Sequence, residues 1–180
     1  GGLFWSPKGN KLAFYRKDEK RVKDYPIFSI TERPAKAKSF KYPMAGDSSH
    51  TVTIGITDES GNIVYLQTEG PYDQYLTNIA WSPDEKSIYL AWVNRDQNKM
   101  ELRKYSSQTG AFEGLLFTEE HDKYVEPEHP VVFLPNDNES FIWQSERDGF
   151  NHLYLYQQGT LSQLTKGNYI ITEFLGFDKS

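Results

Sequence analysis

The feature that most constrains the fold is a short motif that occurs three times along the chain. Each copy has an aromatic residue, then any residue, Pro, a polar turn and a short apolar run, with the aromatic at Trp5, Trp81 and Phe133. Pro fixes φ and opens the turn, and Gly, Asn or Asp completes it. The apolar run that follows has the composition of a buried strand. The chain therefore contains a repeated strand-turn-strand unit.

The spacing of matching residues sets the length of the repeat. Trp92 and Trp143 are about 51 residues apart, and so are Tyr105 and Tyr156, while four strand-like runs fall within each unit. Four short strands repeated about every 50 residues are typical of a propeller blade. The sequence predicts an all-β fold, a partial β-propeller with about three four-stranded blades of a larger propeller. The predicted blade-like units are about 1–70, 71–120 and 121–168, and residues 169–180 begin the next blade.

The first unit is longer than the other two. Trp5 and Trp81 are about 76 residues apart, and the surplus falls in an extended insertion over residues 17–50. Within residues 16–41, nine Lys or Arg side chains and four Asp or Glu side chains leave a net charge of +5. Two interpretations stay open. The insertion is either a docking arm for an acidic partner or a second subunit, or a solubilising loop that folds back on its own blade.

Composition excludes several functional classes. The net charge of −5 is weak and of the wrong sign for a nucleic-acid partner. There is no Cys, so neither a disulfide framework nor thiolate chemistry is available. No apolar run approaches the roughly 18 residues of a membrane-spanning helix. We expect no nucleic acid, no membrane span and no cofactor.

No catalytic constellation is visible. The chain has no Gly-x-Ser-x-Gly nucleophile elbow and no His-Glu-x-x-His zinc motif. His121 and His129 lie in an acidic segment that could attract a hard cation, but a solvated loop between blades is the favoured interpretation. His152 starts a strand and is expected to be a structural hydrogen-bond partner. We therefore predict no catalytic residue and no metal ligand in this chain.

Three tryptophans invite a second interpretation. Trp5, Trp81 and Trp143 could stack on carbohydrate, as exposed aromatic rings do. They recur at equivalent or strand-interior positions of the repeat, so we expect them in the core between blades.

One stretch is more specific than a propeller repeat. A Trp-Ser-Pro-x-Gly strand at 5–9 is followed, after the long extension, by Tyr-Pro-Met-Ala-Gly at 42–46 and by Thr-Val at 51–52. This pattern resembles the N-terminal propeller of the dipeptidyl peptidase IV family, in the prolyl oligopeptidase clan of serine peptidases. The segment 141–154 is similar to bacterial members. The resemblance covers essentially all 180 residues.

The resemblance implies an eight-bladed propeller followed by an α/β-hydrolase domain that supplies the catalytic Ser, Asp and His. It also implies a pair of glutamates that bind the free α-amine of the peptide substrate. By the family pattern, that pair would precede Gly1 and the hydrolase domain would follow Ser180. The role is not carried over to Glu119 and Glu120, which lie elsewhere in the pattern.

The same resemblance marks two regions of this chain. Tyr124, and after it Glu126, would belong to a substrate-facing loop before the third unit. The 17–50 insertion would contribute contacts to a homodimer, and an exported protein, periplasmic or secreted, would be expected.

The function that follows is a non-catalytic propeller segment of a dipeptidyl peptidase IV-like serine exopeptidase. It would shape substrate access and dimer contacts while the parent protein releases N-terminal Xaa-Pro dipeptides. The alternative is a propeller scaffold that binds proteins and has no peptidase activity. A third interpretation is a tripeptidyl or acylaminoacyl specificity in the same clan.

Overall fold

The computed structural model describes residues 2–178 and contains strands, turns and irregular segments. In chain order the strands are β1 (Leu3–Trp5), β2 (Lys11–Asp18), β3 (Asp24–Ser29), β4 (Lys36–Lys41), β5 (Thr51–Asp58), β6 (Ile63–Tyr65), β7 (Tyr75–Trp81), β8 (Ser87–Val93), β9 (Lys99–Ser106), β10 (Phe112–Glu120), β11 (Val132–Phe133), β12 (Phe141–Ser145), β13 (His152–Gln157) and β14 (Thr160–Gln163).

These strands form three four-stranded antiparallel sheets and one hairpin. The sheet orders are β1-β2-β5-β6, β7-β8-β9-β10 and β11-β12-β13-β14, and β3 pairs only with β4. The predicted all-β partial propeller is confirmed, with each four-stranded sheet forming one blade. The hairpin lies within the insertion, between the second and third strands of the first blade.

The Ser-Pro turn explains why the first two strands of a blade pair. In the first blade the N–H of Gly9 donates to the carbonyl of Ser6 at 2.9 Å, and in the second the N–H of Glu85 donates to the carbonyl of Ser82 at 2.9 Å. Gly9 and Glu85 both have positive φ, +74° and +62°. The Ser82 hydroxyl also accepts from the N–H of Ser87 at 3.0 Å, which closes the turn.

The strand register corrects one detail of the repeat. Tyr105 pairs with Ile88, and Tyr156 pairs with Phe141, so the third strands keep the 51-residue offset while the second strands are about 53 residues apart. The interpretation that Trp143 repeats Trp92 is therefore wrong in the fold. The chain runs 17 residues from Ile88 to Tyr105 but only 15 from Phe141 to Tyr156, so the connection between equivalent paired positions is two residues shorter in the third blade.

The core lies between blades rather than within one sheet. One cluster joins the first and second blades, and it includes Ile54 and Ile56 on one side and Leu90 on the other. A second cluster joins the second and third blades, with Tyr89 packed edge-on against Phe141 at 5.8 Å between ring centroids. Alternate residues of β8 face opposite blades, which is why all seven are buried.

The expectation that the three tryptophans lie in the core between blades is correct for Trp81 and Trp143 but not for Trp5. Trp81 and Trp143 are buried, at 8% and 1% exposure, whereas Trp5 is 65% exposed. Trp81 is covered because it faces the first blade, where its indole Nε1 donates to the Phe4 carbonyl at 3.0 Å. Among residues 2–178, no sheet packs on the opposite side of β1, so the same type of residue at Trp5 stays exposed.

A polar latch also joins the first two blades. Glu85 is buried, and one of its carboxylate oxygens accepts the N–H of Lys8 at 2.6 Å. Its backbone carbonyl accepts the hydroxyl of Ser107 at 2.6 Å. Burial by itself raises the pKa of Glu85, but hydrogen bonds from the Lys8 N–H and the Ser6 hydroxyl, together with the positive charges of Lys8 and Lys11, outweigh it and hold the pKa below its ordinary value.

The segment predicted to begin a further blade, 169–180, falls partly outside the described residues at Lys179 and Ser180. Its described part, 169–178, forms no strand. Within residues 169–178, only the N–H of Ile171 makes a backbone hydrogen bond to the third blade, at 2.8 Å from the Asn151 carbonyl. A strand requires a neighbour to pair with, and among the described residues no sheet is placed to supply one.

Candidate functional site

A cleft lies at one end of the propeller, between the second and third blades. Because strands alternate in direction, the turn between the second and third strands of a blade and the connection to the next blade emerge at the same end. At that end, the β10–β11 connection (residues 121–131) and the β12–β13 turn (residues 146–151) border a cleft of about 480 Å³. We call residues 121–131 the cleft loop.

Both predicted substrate-binding residues line this cleft. Tyr124 is 54% exposed, and its ring lies 6.3 Å from that of His121. Glu126 is exposed and lies two positions further along the same loop, also on the cleft. Their spacing presents an aromatic ring and a carboxylate side by side at the cleft.

The opposite wall of the cleft is a charged network that contacts the buried core through Trp143. Glu119 accepts two hydrogen bonds on a single carboxylate oxygen, one from the indole Nε1 of Trp143 and one from Nη2 of Arg147, both at 2.8 Å. The Arg147 guanidinium also lies over the rings of Phe117 and Tyr154, at 5.6 and 5.2 Å from their centroids. Glu119 is thus a paired structural carboxylate, which limits the cost of burying its charge.

One further polar group marks this wall, and another lies beside Arg147. The side-chain Nε2 of Gln144 is buried without a hydrogen-bond partner, and Gln144 lines the cleft. The Tyr154 hydroxyl is also buried and unpartnered, and burial raises the pKa of Tyr154 to about 12. Tyr154 is therefore a neutral phenol at physiological pH.

This arrangement offers groups that can bind a peptide. An exposed aromatic ring can stack on a peptide side chain, and a carboxylate can accept hydrogen bonds from peptide N–H groups. Within residues 2–178, no histidine ring nitrogen hydrogen-bonds to a serine hydroxyl; His152 instead bonds to Thr165 and to the Gly167 carbonyl, both at 3.0 Å. The described side chains thus contain no activated serine of the kind that acyl transfer requires.

The described part of the chain also offers no ready metal site. No group of three or more His, Cys, Asp or Glu side chains there is arranged to hold a metal ion. The same residues form no helix, and hence none that is long and apolar enough to cross a bilayer.

A second candidate surface is the hairpin of the insertion. β3 and β4 are exposed along almost their whole length, although Phe28 and Ile30 are large apolar residues with 63% and 90% exposure. At its foot, the hairpin is joined to the blade by buried Val22 and by Arg21, whose guanidinium lies 3.7 Å from the centroid of the Tyr72 ring.

Comparison with known proteins decides the family. The family model for the dipeptidyl peptidase IV (DPP IV) N-terminal region matches residues 1–180. This chain belongs to the dipeptidyl peptidase IV family. It corresponds to the family's N-terminal region, which agrees with the resemblance found in the sequence.

Solved structures and a curated relative agree with that assignment. A Bacteroides ovatus protein described as a putative dipeptidyl aminopeptidase IV is 49% identical with a TM-score of 0.91, over 98% of this chain and 28% of that one. Porphyromonas gingivalis dipeptidyl peptidase 4 is 26% identical with a TM-score of 0.82, over 99% and 26%. Inactive dipeptidyl peptidase 10 of Rattus norvegicus is 26% identical over 98% of this chain and 24% of its own length. The chain thus spans about a quarter of each.

Sequence reasoning identified the cleft loop but missed the opposite wall. In the corrected register, Gln144 and Ser145 of the third blade occupy the places of Ala91 and Trp92 in the second, and both are buried. Polar residues at the end of a buried strand, where the repeat has apolar ones, are the signal that could have marked this wall. The 51-residue alignment matches Gln144 with buried Val93 and so carries this signal, but it matches Ser145 with Asn94 and hides the second half of it.

Proposed function

We propose that this chain is the non-catalytic propeller segment of a dipeptidyl peptidase IV-like serine exopeptidase. Its cleft loop helps to shape the passage through which a peptide reaches the α/β-hydrolase domain of the parent protein. The parent then releases N-terminal Xaa-Pro dipeptides. The observation that carries the proposal is the exposed Tyr124 on a cleft, within a chain of the dipeptidyl peptidase family.

Within this proposal, Tyr124 and Glu126 contact the substrate. Tyr124 supplies an aromatic wall for a side chain near the peptide N-terminus, and Glu126 accepts a hydrogen bond from a peptide N–H. Both contacts are made away from the bond that is cleaved. They therefore strengthen binding of substrate and transition state alike, and their loss should raise KM more than it lowers kcat.

The test is hydrolysis of a Gly-Pro chromogenic amide, and of longer Xaa-Pro peptides, by the full-length protein that contains this chain. Tyr124→Ala should raise KM for the longer peptides about tenfold, the effect of roughly one lost contact of 1.4 kcal/mol. Phe112→Ala is the matched control, because Phe112 is also half-exposed but lies on the outer strand β10. An unchanged KM in Tyr124→Ala would contradict the substrate role.

The alternative is a propeller that binds proteins and has no peptidase activity. One observation favours keeping it: a relative that covers the same region is named an inactive dipeptidyl peptidase. The same hydrolysis assay separates the two functions. A full-length protein that cleaves no Xaa-Pro or longer N-terminal substrate, although its propeller is folded, would support the scaffold.

The homodimer contact is the second element of the proposal. The insertion presents apolar side chains on a basic hairpin, and the remainder of the chain carries a net charge of −10 by difference from the −5 of the whole and the +5 of residues 16–41. A second copy therefore offers both an apolar and an acidic surface for the hairpin.

The location we propose is periplasmic or secreted, and family membership is its only support. Osmotic-shock fractionation of the native host, with an antibody against this region, should recover the protein outside the cytoplasm. Recovery with cytoplasmic markers would contradict this proposal.

A further inference from the structure

The cleft loop has no strand of its own, so its position depends on a few hydrogen bonds. Backbone N–H and C=O groups in such a segment need partners, and those partners decide where the loop lies. The described partners come from two places in the second blade. Each place is built around a residue with positive φ, Gln97 at +56° and Asn78 at +53°.

The first anchor is the turn between β8 and β9. The carbonyl of Gln97 accepts the N–H of Val125 at 2.7 Å, and the carbonyl of Asn98 accepts the N–H of His121 at 3.0 Å. The turn is itself held by Asn94, whose side-chain oxygen accepts the N–H groups of Asn98 and Lys99, both at 3.0 Å. This anchor fixes the first half of the loop.

The second anchor is one side-chain amide. Nδ2 of Asn78 donates to the carbonyl of Pro127 at 2.9 Å and to the carbonyl of His129 at 3.0 Å. Both hydrogens of the amide are therefore used on the loop. The amide oxygen is 3.3 Å from the Thr77 hydroxyl, which fits this orientation of the side chain.

The backbone at Asn78 is shaped for this contact. The pairing of β7 with β8 skips between Thr77 and Ala80, and Asn78 lies in that irregularity with positive φ. Bulges redirect a side chain out of the regular pleat, and Asn tolerates the left-handed conformation better than most residues with a side chain. The regular pairing of β7 with β8 is therefore broken at Asn78, the residue whose side chain hydrogen-bonds to the cleft loop.

We infer that Asn78 is a positioning residue that holds the second half of the cleft loop in place and thereby sets the position of Glu126, while the Gln97 anchor holds the backbone beside Tyr124. The anchored backbone groups belong to Val125 and Pro127, which alternate with those two residues. Each side chain on the cleft is therefore next to a fixed peptide group. The inference rests on the proposed function for its effect on substrate, but the hold on the loop is measurable without any substrate.

The experiment uses the full-length protein with two substitutions at this position. Asn78→Asp keeps the size and shape of the side chain but replaces the donating nitrogen with an oxygen that repels both carbonyls. Asn78→Gly keeps the left-handed backbone and removes the amide altogether. Asn62→Asp is the matched control, because Asn62 lies in the exposed turn between β5 and β6.

Hydrogen exchange is the first readout. Amide exchange should speed up in the cleft loop in both Asn78 variants and stay unchanged in β8 and in the control. KM for longer Xaa-Pro peptides should rise about tenfold in Asn78→Asp while kcat changes less than about twofold, because a loop misplaced by about an ångström loses contacts that are made before the chemistry.

The outcomes distinguish the positioning role of Asn78 from the substrate role of the cleft loop. Unchanged exchange in the cleft loop, or faster exchange spread equally through β7 and β8, would overturn the role of Asn78. Faster exchange confined to the loop with unchanged KM in both Asn78 and Tyr124 variants would support the hold of Asn78 and contradict the substrate role of the loop. A fall in kcat in proportion to a lowered melting temperature would mark Asn78 as a general structural residue instead.

Discussion

The second blade and the insertion hairpin are both antiparallel sheets that contain large apolar side chains, yet they have opposite environments. All seven residues of β8 are buried, whereas every residue of β4 is exposed. In β8 both faces of the strand meet another blade. In the hairpin neither face meets another element along most of its length. Ile27 and Phe28 of β3 are large apolar residues that stay exposed, because no sheet among the described residues stacks on them.

The difference also separates two sources of stability. The blades are stabilised by apolar area buried between sheets, which is the dominant favourable term in folding. A two-stranded hairpin alone is marginal in water. This one relies on its foot and on an aromatic cluster in which Tyr25, Phe40 and Tyr42 lie 5.7 to 6.1 Å apart. The exposed residues beyond that cluster remain available for a partner.

The largest expected effect is the loss of a buried side chain between blades. Trp143→Ala should lower the free energy of unfolding by about 3–5 kcal/mol, because it leaves a cavity and removes a donor from Glu119. Urea unfolding followed by circular dichroism measures it. Phe28→Ala in the hairpin is the control and should change stability by less than about 0.5 kcal/mol. Equal losses of unfolding free energy in Trp143→Ala and Phe28→Ala would contradict the expected difference in stability between blade and hairpin.

A second test concerns the homodimer contact that we propose for the hairpin. Phe28→Asp should raise the dimer dissociation constant at least tenfold, on the order of 1.4 kcal/mol, because it places a charge in an apolar contact. Sedimentation velocity over a range of concentrations reports it. Ser39→Asp adds the same charge at an exposed polar position of β4 and should have little effect. A dimer that tolerates Phe28→Asp would mean that the hairpin serves another purpose.

The polar latch predicts a pH dependence. The pKa of Glu85 is held below its ordinary value in the folded chain, so its contribution to stability is present above the unfolded pKa and is lost as the pH falls through the folded one. Glu85→Gln should therefore flatten the loss of stability as the pH falls below the ordinary Glu pKa of about 4.3. Urea midpoints at successively lower pH measure the slope. Glu59→Gln, in an exposed turn, should keep the wild-type slope.

The smallest effect compares two glycines. Gly9 has a φ of +74° and open space where a Cβ would lie, so Gly9→Ala should cost about 1 kcal/mol from backbone strain alone. Gly114 has equally open space without the positive φ, and Gly114→Ala should be neutral or slightly stabilising. Melting temperatures of the two variants decide the point. Equal costs would show that backbone conformation is not the cause.

Much of the fold was predictable because its signals are local. The Ser-Pro turn and the apolar run after it lie within about ten residues, so both strands of the pair at Trp81 can be found from the sequence. The cleft loop could be found from the family pattern around Tyr124. Its anchor could not, because Asn78 is about 50 residues away from the carbonyls that it holds, and nothing local distinguishes it from a turn asparagine.

The amino-acid sequence by itself determined the blade as the unit of this protein, the position of the insertion and the absence of a serine-nucleophile motif, since each depends on short-range patterns. Only the tertiary structure decided the two-residue shift of the third blade, the exposure of Trp5 beside the burial of Trp81, and the wall formed by Glu119 and Arg147. These depend on which sheet stacks against which. Stacking is a long-range, collective result of burying apolar area, and identical local motifs therefore end in different surroundings.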